Sequence, residues 1–221
     1  NAVFFFFSVT SAEAVGVVGP NGAGKSTLMA VLSGALAPSG GRVTLNGRDI
    51  TGLGAAERAG LGVMRTHQIP KPFLGLSVLE NVLVGTTHAG GARGEAAYAL
   101  ALDALETTGM RGLANRAAES LGLLGRKRLE LARALATGPR ILLLDEIGGG
   151  LTDAEAEELV HMIKGLRAKG IGIVWIEHIV HILLQVAERL ICMDAGRIIA
   201  DGDPAEVMAR PDVVRAYVGG V

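Results

Sequence analysis

Eight consecutive residues, Gly19-Pro20-Asn21-Gly22-Ala23-Gly24-Lys25-Ser26, fit the pattern G-x-x-x-x-G-K-[ST]. The pattern constrains the fold because it works in one setting, a loop between a buried strand and the start of a helix. Its glycines let the backbone turn tightly, so that successive N–H groups point inward at phosphate oxygens. Lys25 adds a point charge at the β- and γ-phosphates, and the Ser26 hydroxyl is suited to hold Mg²⁺. The flanks supply the setting. Ala14-Val15-Gly16-Val17-Val18 is a short apolar run that reads as a buried strand. Ser26 to Leu36 reads as a helix whose N-terminus faces the anion. The loop therefore predicts a site for the polyphosphate of a nucleotide.

Beyond that loop, apolar strands alternate with amphipathic helices. Arg42 to Ile50 is expected to form a hairpin turning at Asn46-Gly47, and a further strand is expected near Leu61 to Thr66. From Ser77 to Ala136 the pattern is mostly helical, with a Gly-rich interruption from Gly85 to Gly94. One helix is expected from Ala96 to Thr108 and another from Arg126 to Ala136, with Leu129, Ala132 and Leu135 on one face. Ile141-Leu142-Leu143-Leu144 and Ile171 to Ile176 are apolar throughout, as strands buried on both faces require. Thr152-Asp153-Ala154-Glu155 is a capping box that opens a helix carrying Leu159, Ile163 and Leu166. Two short strands, Arg189 to Met193 and Arg197 to Ala200, precede a helix opening at Pro204. Strand–helix alternation around such a loop predicts an α/β fold with a mostly parallel central sheet.

Length and charge narrow the functions. At 221 residues the chain suits one large domain or a core with an inserted subdomain. A formal net charge of −1 gives no reason to expect nucleic acid or an anionic membrane surface as a partner. No apolar run approaches the roughly 18 residues of a transmembrane helix. Asn1 to Val9 includes Phe4-Phe5-Phe6-Phe7 but lacks a basic flank, so it reads as part of a strand and not as a signal peptide. With Asn1 in place of Met at the start, an incomplete N-terminus is expected. Cys192, the only cysteine, is expected to be a buried, inert thiol, and the chain to be cytoplasmic.

Two further positions bear on chemistry. Asp145-Glu146 closes the strand that begins at Ile141, and ligands of parallel sheets bind off the carboxyl ends of strands. Asp145 is then placed to hold Mg²⁺ through water, and Glu146 to orient or deprotonate an attacking water. His178 ends the next strand on the same edge, where the γ-phosphate or that water would lie. Gln68, before Pro70 and Pro72, reads by itself as a loop residue.

In this order the motifs resemble the nucleotide-binding subunit of ABC transporters over nearly the whole chain. Gly19 to Thr27 is similar to the family's Walker A, Ile141 to Glu146 to its Walker B with catalytic glutamate, Gln68 to its Q-loop glutamine and His178 to its switch histidine. The branched-chain amino acid uptake subgroup is suggested by Arg128 to Leu135, Gly150-Leu151-Thr152, Ile176-Glu177-His178, Gly202 to Val207 and Pro211 to Tyr217. The resemblance implies a single P-loop NTPase domain over residues 1–221, with an antiparallel β subdomain and a helical subdomain inserted at roughly 72–137. It implies ATP held by residues 19–27, Mg²⁺ held by Ser26, Gln68 and Asp145, and hydrolysis served by Glu146, His178 and Gln68. The implied partners are transmembrane permease subunits, a second nucleotide-binding subunit and, indirectly, a periplasmic substrate-binding protein. The implied location is the cytoplasmic face of the inner membrane, as a peripheral subunit.

The sequence departs from the family in three places. The signature Leu-Ser-Gly-Gly-Gln aligns with Leu121-Gly122-Leu123-Leu124-Gly125, so Gly122 stands where a serine hydroxyl would grip the partner's ATP. One lost charge-assisted hydrogen bond weakens closure by about 1.5–3 kcal/mol. The adjacent Arg126-Lys127-Arg128 is expected to be a solvated helix start. Thr152 occupies the D-loop aspartate position, with Asp153 beside it. No upstream aromatic is placed to stack on adenine, and Phe4 to Phe7 is assigned to strand packing. Two alternatives remain: an ATP-gated dimerising module with weak hydrolysis, and the ATPase of another ABC system such as lipopolysaccharide export.

Overall fold

The computed structural model describes residues 6–88 and 90–218. Strand β1 (Ala14–Val18) leads into α1 (Lys25–Ser33), followed by β2 (Thr44–Leu45), β3 (Arg48–Asp49), α2 (Ala55–Gly60) and β4 (Val63–Arg65). Three helices come next, α3 (Val78–His88), α4 (Gly94–Thr107) and α5 (Leu123–Leu135). The chain continues through β5 (Ile141–Asp145), α6 (Asp153–Ala168), β6 (Gly172–Ile176) and α7 (Val180–Leu183). It ends with β7 (Arg189–Asp194), β8 (Arg197–Gly202), α8 (Pro204–Ala209) and α9 (Pro211–Val218).

The main sheet has the order β4-β5-β6-β1-β7-β8. Every neighbouring pair is parallel except β7 with β8. The fold is α/β, with a separate antiparallel pair, β2 with β3, whose turn residues Asn46 and Gly47 both have positive φ. Alternate residues of the sheet feed two apolar clusters. Leu142, Leu144, Trp175 and Leu190 pack with Leu159, Ile163 and Leu166 of α6. Val15, Val17, Leu143 and Val174 pack on the other face with Leu28 and Met29 of α1. Both faces are covered, which is why these strands read as unbroken apolar runs.

Helices α3, α4 and α5, inserted between β4 and β5, bury a third cluster that includes Val82, Ala101, Leu105, Met110 and Leu129. The approach to α3 is tied down from both sides. Buried Asn81 exchanges hydrogen bonds with the backbone of Phe73 (2.8 and 3.0 Å), and Arg133 of α5 donates to the Lys71 carbonyl and lies over the Phe73 ring.

Several sequence expectations shift. Helix α3 runs through Gly85, which was expected to begin the interruption. A Cβ there would stand 2.6 Å from the Arg133 carbonyl oxygen, so the glycine permits close approach of α3 to α5. Helix α5 starts at Leu123, ahead of the expected Arg126, because extended Gly122 takes the N-cap position. Of the strand expected over Asn1 to Val9, residues 1–5, with Phe4 and Phe5, lie outside the described residues. Phe6 to Val9 form no strand; Phe6 is exposed, and Phe7 and Val9 pack against the α1-side core. Cys192 is buried in β7, and burial pushes its thiol pKa up to about 11, so it stays protonated and inert.

Caps set the helix starts as the sequence implies. Thr152 and Glu155 close a reciprocal capping box on α6. Asp203 accepts from the Ala205 and Glu206 amides, with Pro204 in the first turn of α8. Parallel pairing brings the ends of β1, β5 and β6 to one edge, with Val17 and Asp145 both level with Ile176.

Candidate functional site

The loop from Gly19 to Gly24 leaves the end of β1 and delivers Lys25 as the first residue of α1. Lys25 is buried, and its Nζ donates to the carbonyls of Gly19 (2.7 Å) and Pro20 (3.0 Å). Burial pulls the Lys25 pKa below its ordinary value, while Glu146 opposes that shift. A cavity of about 210 Å³ opens over the loop, walled by residues 21–27 together with Glu146 and His178. The structure thus brings the predicted phosphate loop, acidic residue and histidine to one space. A larger hollow of about 420 Å³, between the β2–β3 turn and the start of β5, contains none of the predicted site residues.

Glu146 is held by several neighbours. Its amide donates to the Ile176 carbonyl (2.9 Å), and its φ of 49° is in the left-handed region. Its Oε1 pairs with His178 Nε2 at 2.7 Å, and its Oε2 accepts from Gln68 Nε2. Gln68, His178 and Glu146 come from three separate segments and meet only in the folded chain. Asp145 is buried and pairs with Arg65 Nη2 at 2.6 Å. Residues 121–125 do not line the cavity.

Sequence reasoning missed Arg65, Glu177 and Tyr217. Arg65 lies three residues before Gln68, but nothing in its local pattern pairs it with Asp145 across the strands. Tyr217 lies in the tail already linked to the subgroup, yet no role could be read for it. Its hydroxyl accepts from the buried Gly19 amide at 2.9 Å, so α9 touches the first residue of the phosphate loop. The reading of Arg126-Lys127-Arg128 as a solvated run is corrected. Lys127 is buried, and its Nζ donates to the carbonyls of Ile147 and Gly149. Arg126 folds back on the Leu121 carbonyl, and Arg128 pairs with Glu158. A run of like charges at a helix start faces water unless carbonyls lie within reach, and the loop after β5 supplies them.

The Tyr217 contact gives a prediction. Tyr217→Phe leaves the Gly19 amide unpaired, which costs about 1 kcal/mol, or about fivefold in affinity, if it is borne by the nucleotide-ready loop. Titration with a fluorescent ATP analogue should show that weakening; an unchanged Kd would separate α9 from nucleotide binding.

A phosphate loop on a parallel sheet, facing an acidic strand end, defines the class of P-loop ATPases. The sequence model of the ABC transporter family matches residues 5–148. A second model, described as branched-chain amino acid ATP-binding cassette transporter, matches residues 197–221. The high-affinity branched-chain amino acid transport ATP-binding protein LivG of Salmonella typhimurium is 37% identical over 94% of this chain and 87% of its own length. BraF of Pseudomonas aeruginosa, with the same description, is 34% identical over 96% of this chain and 89% of its own. A crystal structure of a nucleotide-free ATP-binding cassette from an ABC transporter superposes with a TM-score of 0.88 at 33% identity, covering 96% of this chain and 90% of that one. The chain belongs to the ABC transporter ATP-binding family, in its branched-chain amino acid branch.

Proposed function

We propose that this chain is the ATP-hydrolysing subunit of an importer for branched-chain or other hydrophobic amino acids. It acts as a dimer, homo- or heteromeric, on the cytoplasmic face of the membrane beside separate permease subunits, fed by a periplasmic substrate-binding protein. The observation that carries the ATPase reading is the shared cavity of residues 21–27, Glu146 and His178. The cargo is supported by the C-terminal family match and by the descriptions of the relatives. Among the described residues no helix is long and apolar enough to cross a membrane, so the pathway falls to partner subunits.

In this reading the backbone N–H groups of Asn21, Gly22 and Gly24, which line the cavity, and the N-terminus of α1 cradle the phosphates. Lys25 exchanges the Gly19 and Pro20 carbonyls for phosphate oxygens, where its charge is better used. Glu146 takes the proton of a water attacking the γ-phosphorus in line, the bond to the bridging oxygen breaks, and ADP leaves. His178 Nε2 and Gln68 Nε2 hold the two carboxylate oxygens and so fix the base. Ser26, Gln68 and Asp145 offer oxygen donors that fit Mg²⁺, a hard cation that keeps water and shares phosphate ligands. When bound, that cation neutralises charge developing on the β- and γ-phosphates.

Residues 72–137 act as an inserted helical subdomain that receives the permease. Exposed Ile69, Phe73 and Leu74, just ahead of α3, give that surface an apolar patch. Residues 121–125 serve the ATP of the facing subunit. Gly122 and Leu124 favour one second reading, a module that dimerises on ATP but turns over slowly. A lipopolysaccharide export ATP-binding protein, LptB of Acidithiobacillus ferridurans, is also 35% identical over 96% of this chain and 87% of its own, but the tail match favours amino acids. Reconstitution in proteoliposomes with branched-chain amino acid permease subunits and their substrate-binding protein tests the reading. Leucine-stimulated ATPase and ATP-dependent leucine uptake are expected. Stimulation by a lipid alone would overturn the cargo, and ATP-driven dimers with negligible stimulated turnover would favour the module.

A further inference from the structure

Glu146 sits in a left-handed turn that costs a non-glycine residue about 1–3 kcal/mol and persists only where the surroundings over-determine it. The residues that follow it show what does so. Lys127, on α5, donates from one ammonium to the carbonyls of Ile147 (2.8 Å) and Gly149 (2.6 Å). Between those two carbonyls, the Gly148 amide donates to Glu177 Oε2 at 2.8 Å. The other oxygen of Glu177 accepts from the amides of His178 (3.0 Å) and Ile179 (3.4 Å). The approach at Gly148 is close: a Cβ there would stand 2.8 Å from Glu177 Oε2. Lys127 and Glu177 are both buried, with 5% and 2% of their surface exposed.

Buried charges are weak evidence of stability, because apolar side chains of similar size often serve the fold as well. These two direct their charge at two peptide groups of the loop after Glu146: the 147–148 peptide, gripped at its carbonyl by Lys127 and at its amide by Glu177, and the Gly149 carbonyl. We propose that Lys127 and Glu177 are positioning residues for ATP hydrolysis, holding residues 147–149 from opposite sides so that Glu146 stays turned into the cavity. Glu177 joins that loop to the backbone of His178, so both groups that face the cavity are set by one carboxylate. Helix α5 meets the same loop again through Leu123, whose Cδ2 would lie 3.0 Å from a Cβ at Gly150. The helix that opens within residues 121–125 therefore also sets the base. Burial lowers the Lys127 pKa, and the carboxylates of Glu177 and Glu146 oppose that effect.

The inference rests on Glu146 as the base, and the test separates the two. Full-length chain carrying Lys127→Met, Lys127→Arg, Glu177→Gln or Glu146→Gln is assayed for ATPase rate, for fluorescent-ATP affinity and for thermal melting. A small misplacement of a catalytic group costs about 10²-fold in rate. Lys127→Met and Glu177→Gln are expected to lose kcat on that scale while Kd for the nucleotide moves less than about threefold. Lys127→Arg, whose fork can still serve two carbonyls, should recover most of the rate. Parent-level kcat in Lys127→Met, a Kd that worsens in step with kcat, or no recovery by Arg would overturn the proposal. Where Lys127→Met does not fold, the nearly isosteric Glu177→Gln decides on the same readings, since its amide group can accept at only one of its two positions. Parent-rate turnover by Glu146→Gln sinks the underlying reading; an inactive Glu146→Gln beside a fully active Lys127→Met and Glu177→Gln sinks this proposal alone.

Discussion

Glu146→Gln should lower steady-state ATP turnover by about 10²–10⁴-fold, the range a positioned general base contributes. The substitution keeps the shape of the side chain and the Ile176 carbonyl bond, which belongs to the backbone amide. What it removes is the basic oxygen. It also leaves one terminal atom as a donor facing either Gln68 Nε2 or His178 Nε2, both of which now face carboxylate oxygens. The phosphate loop is untouched, so ATP affinity should stay near the parent's. With binding intact and chemistry blocked, ATP-bound dimers should accumulate. Phosphate release and size-exclusion chromatography with ATP measure the two halves of this expectation. Turnover at the parent rate would remove Glu146 from the role of base.

Gly19→Ala is expected to weaken nucleotide binding by on the order of 10²-fold and to lower stability by about 1–3 kcal/mol. Gly19 has a φ of 145°, which side-chain-bearing residues rarely adopt. An added Cβ would fall well inside the van der Waals shell of the Met193 carbonyl oxygen and 3.3 Å from the Ala23 Cβ. Neither neighbour has a rotamer by which to retreat, so the loop or β7 must move. The same residue also links two side chains: its amide meets Tyr217 and its carbonyl meets Lys25. A shift there disturbs the cradle at its first residue. Nucleotide titration and a thermal melt read the two effects, and parent-like affinity would mean that the close approach to Met193 is not needed for binding.

Much of the fold is legible in the sequence because its signals are local. The run from Ile141 to Leu144 has no polar face, which only a doubly covered strand explains. Thr152 and Glu155 announce α6 by the hydrogen bonds they exchange. The turn at Asn46-Gly47 is set by two residues that tolerate positive φ. The expectation for Gly85 went the other way. A glycine within a helical pattern reads as a break, and only the nearness of α5 shows that it is a packing glycine inside α3.

The candidate site divides along the same line. Gly19 to Ser26 can be recognised without a structure, because a phosphate cradle is made by contiguous backbone whose geometry glycine content controls. Asp145, Glu146 and His178 followed from their place at the carboxyl ends of parallel strands, and resemblance added Gln68 and tied the four together by their order. The partners of these residues could not be read. Arg65 meets Asp145, Tyr217 meets Gly19, and Lys127 meets the loop after Glu146, across 80, 198 and at least 20 positions of chain.

The sequence by itself therefore determined the nucleotide loop, the alternating strands and helices, and the family they compose. Each depends on residues within a few positions of one another, or on an order shared with known chains. Only the tertiary structure decided which side chains hold the working groups in place. Burial and long-range approach turned Lys127 from a solvated charge into a clamp, and turned Glu177 from a strand-end carboxylate into the acceptor that joins Gly148 to His178. The physical reason is that a buried charge must find its partners in space, and spatial neighbours are set by the packing of the whole sheet and its helices.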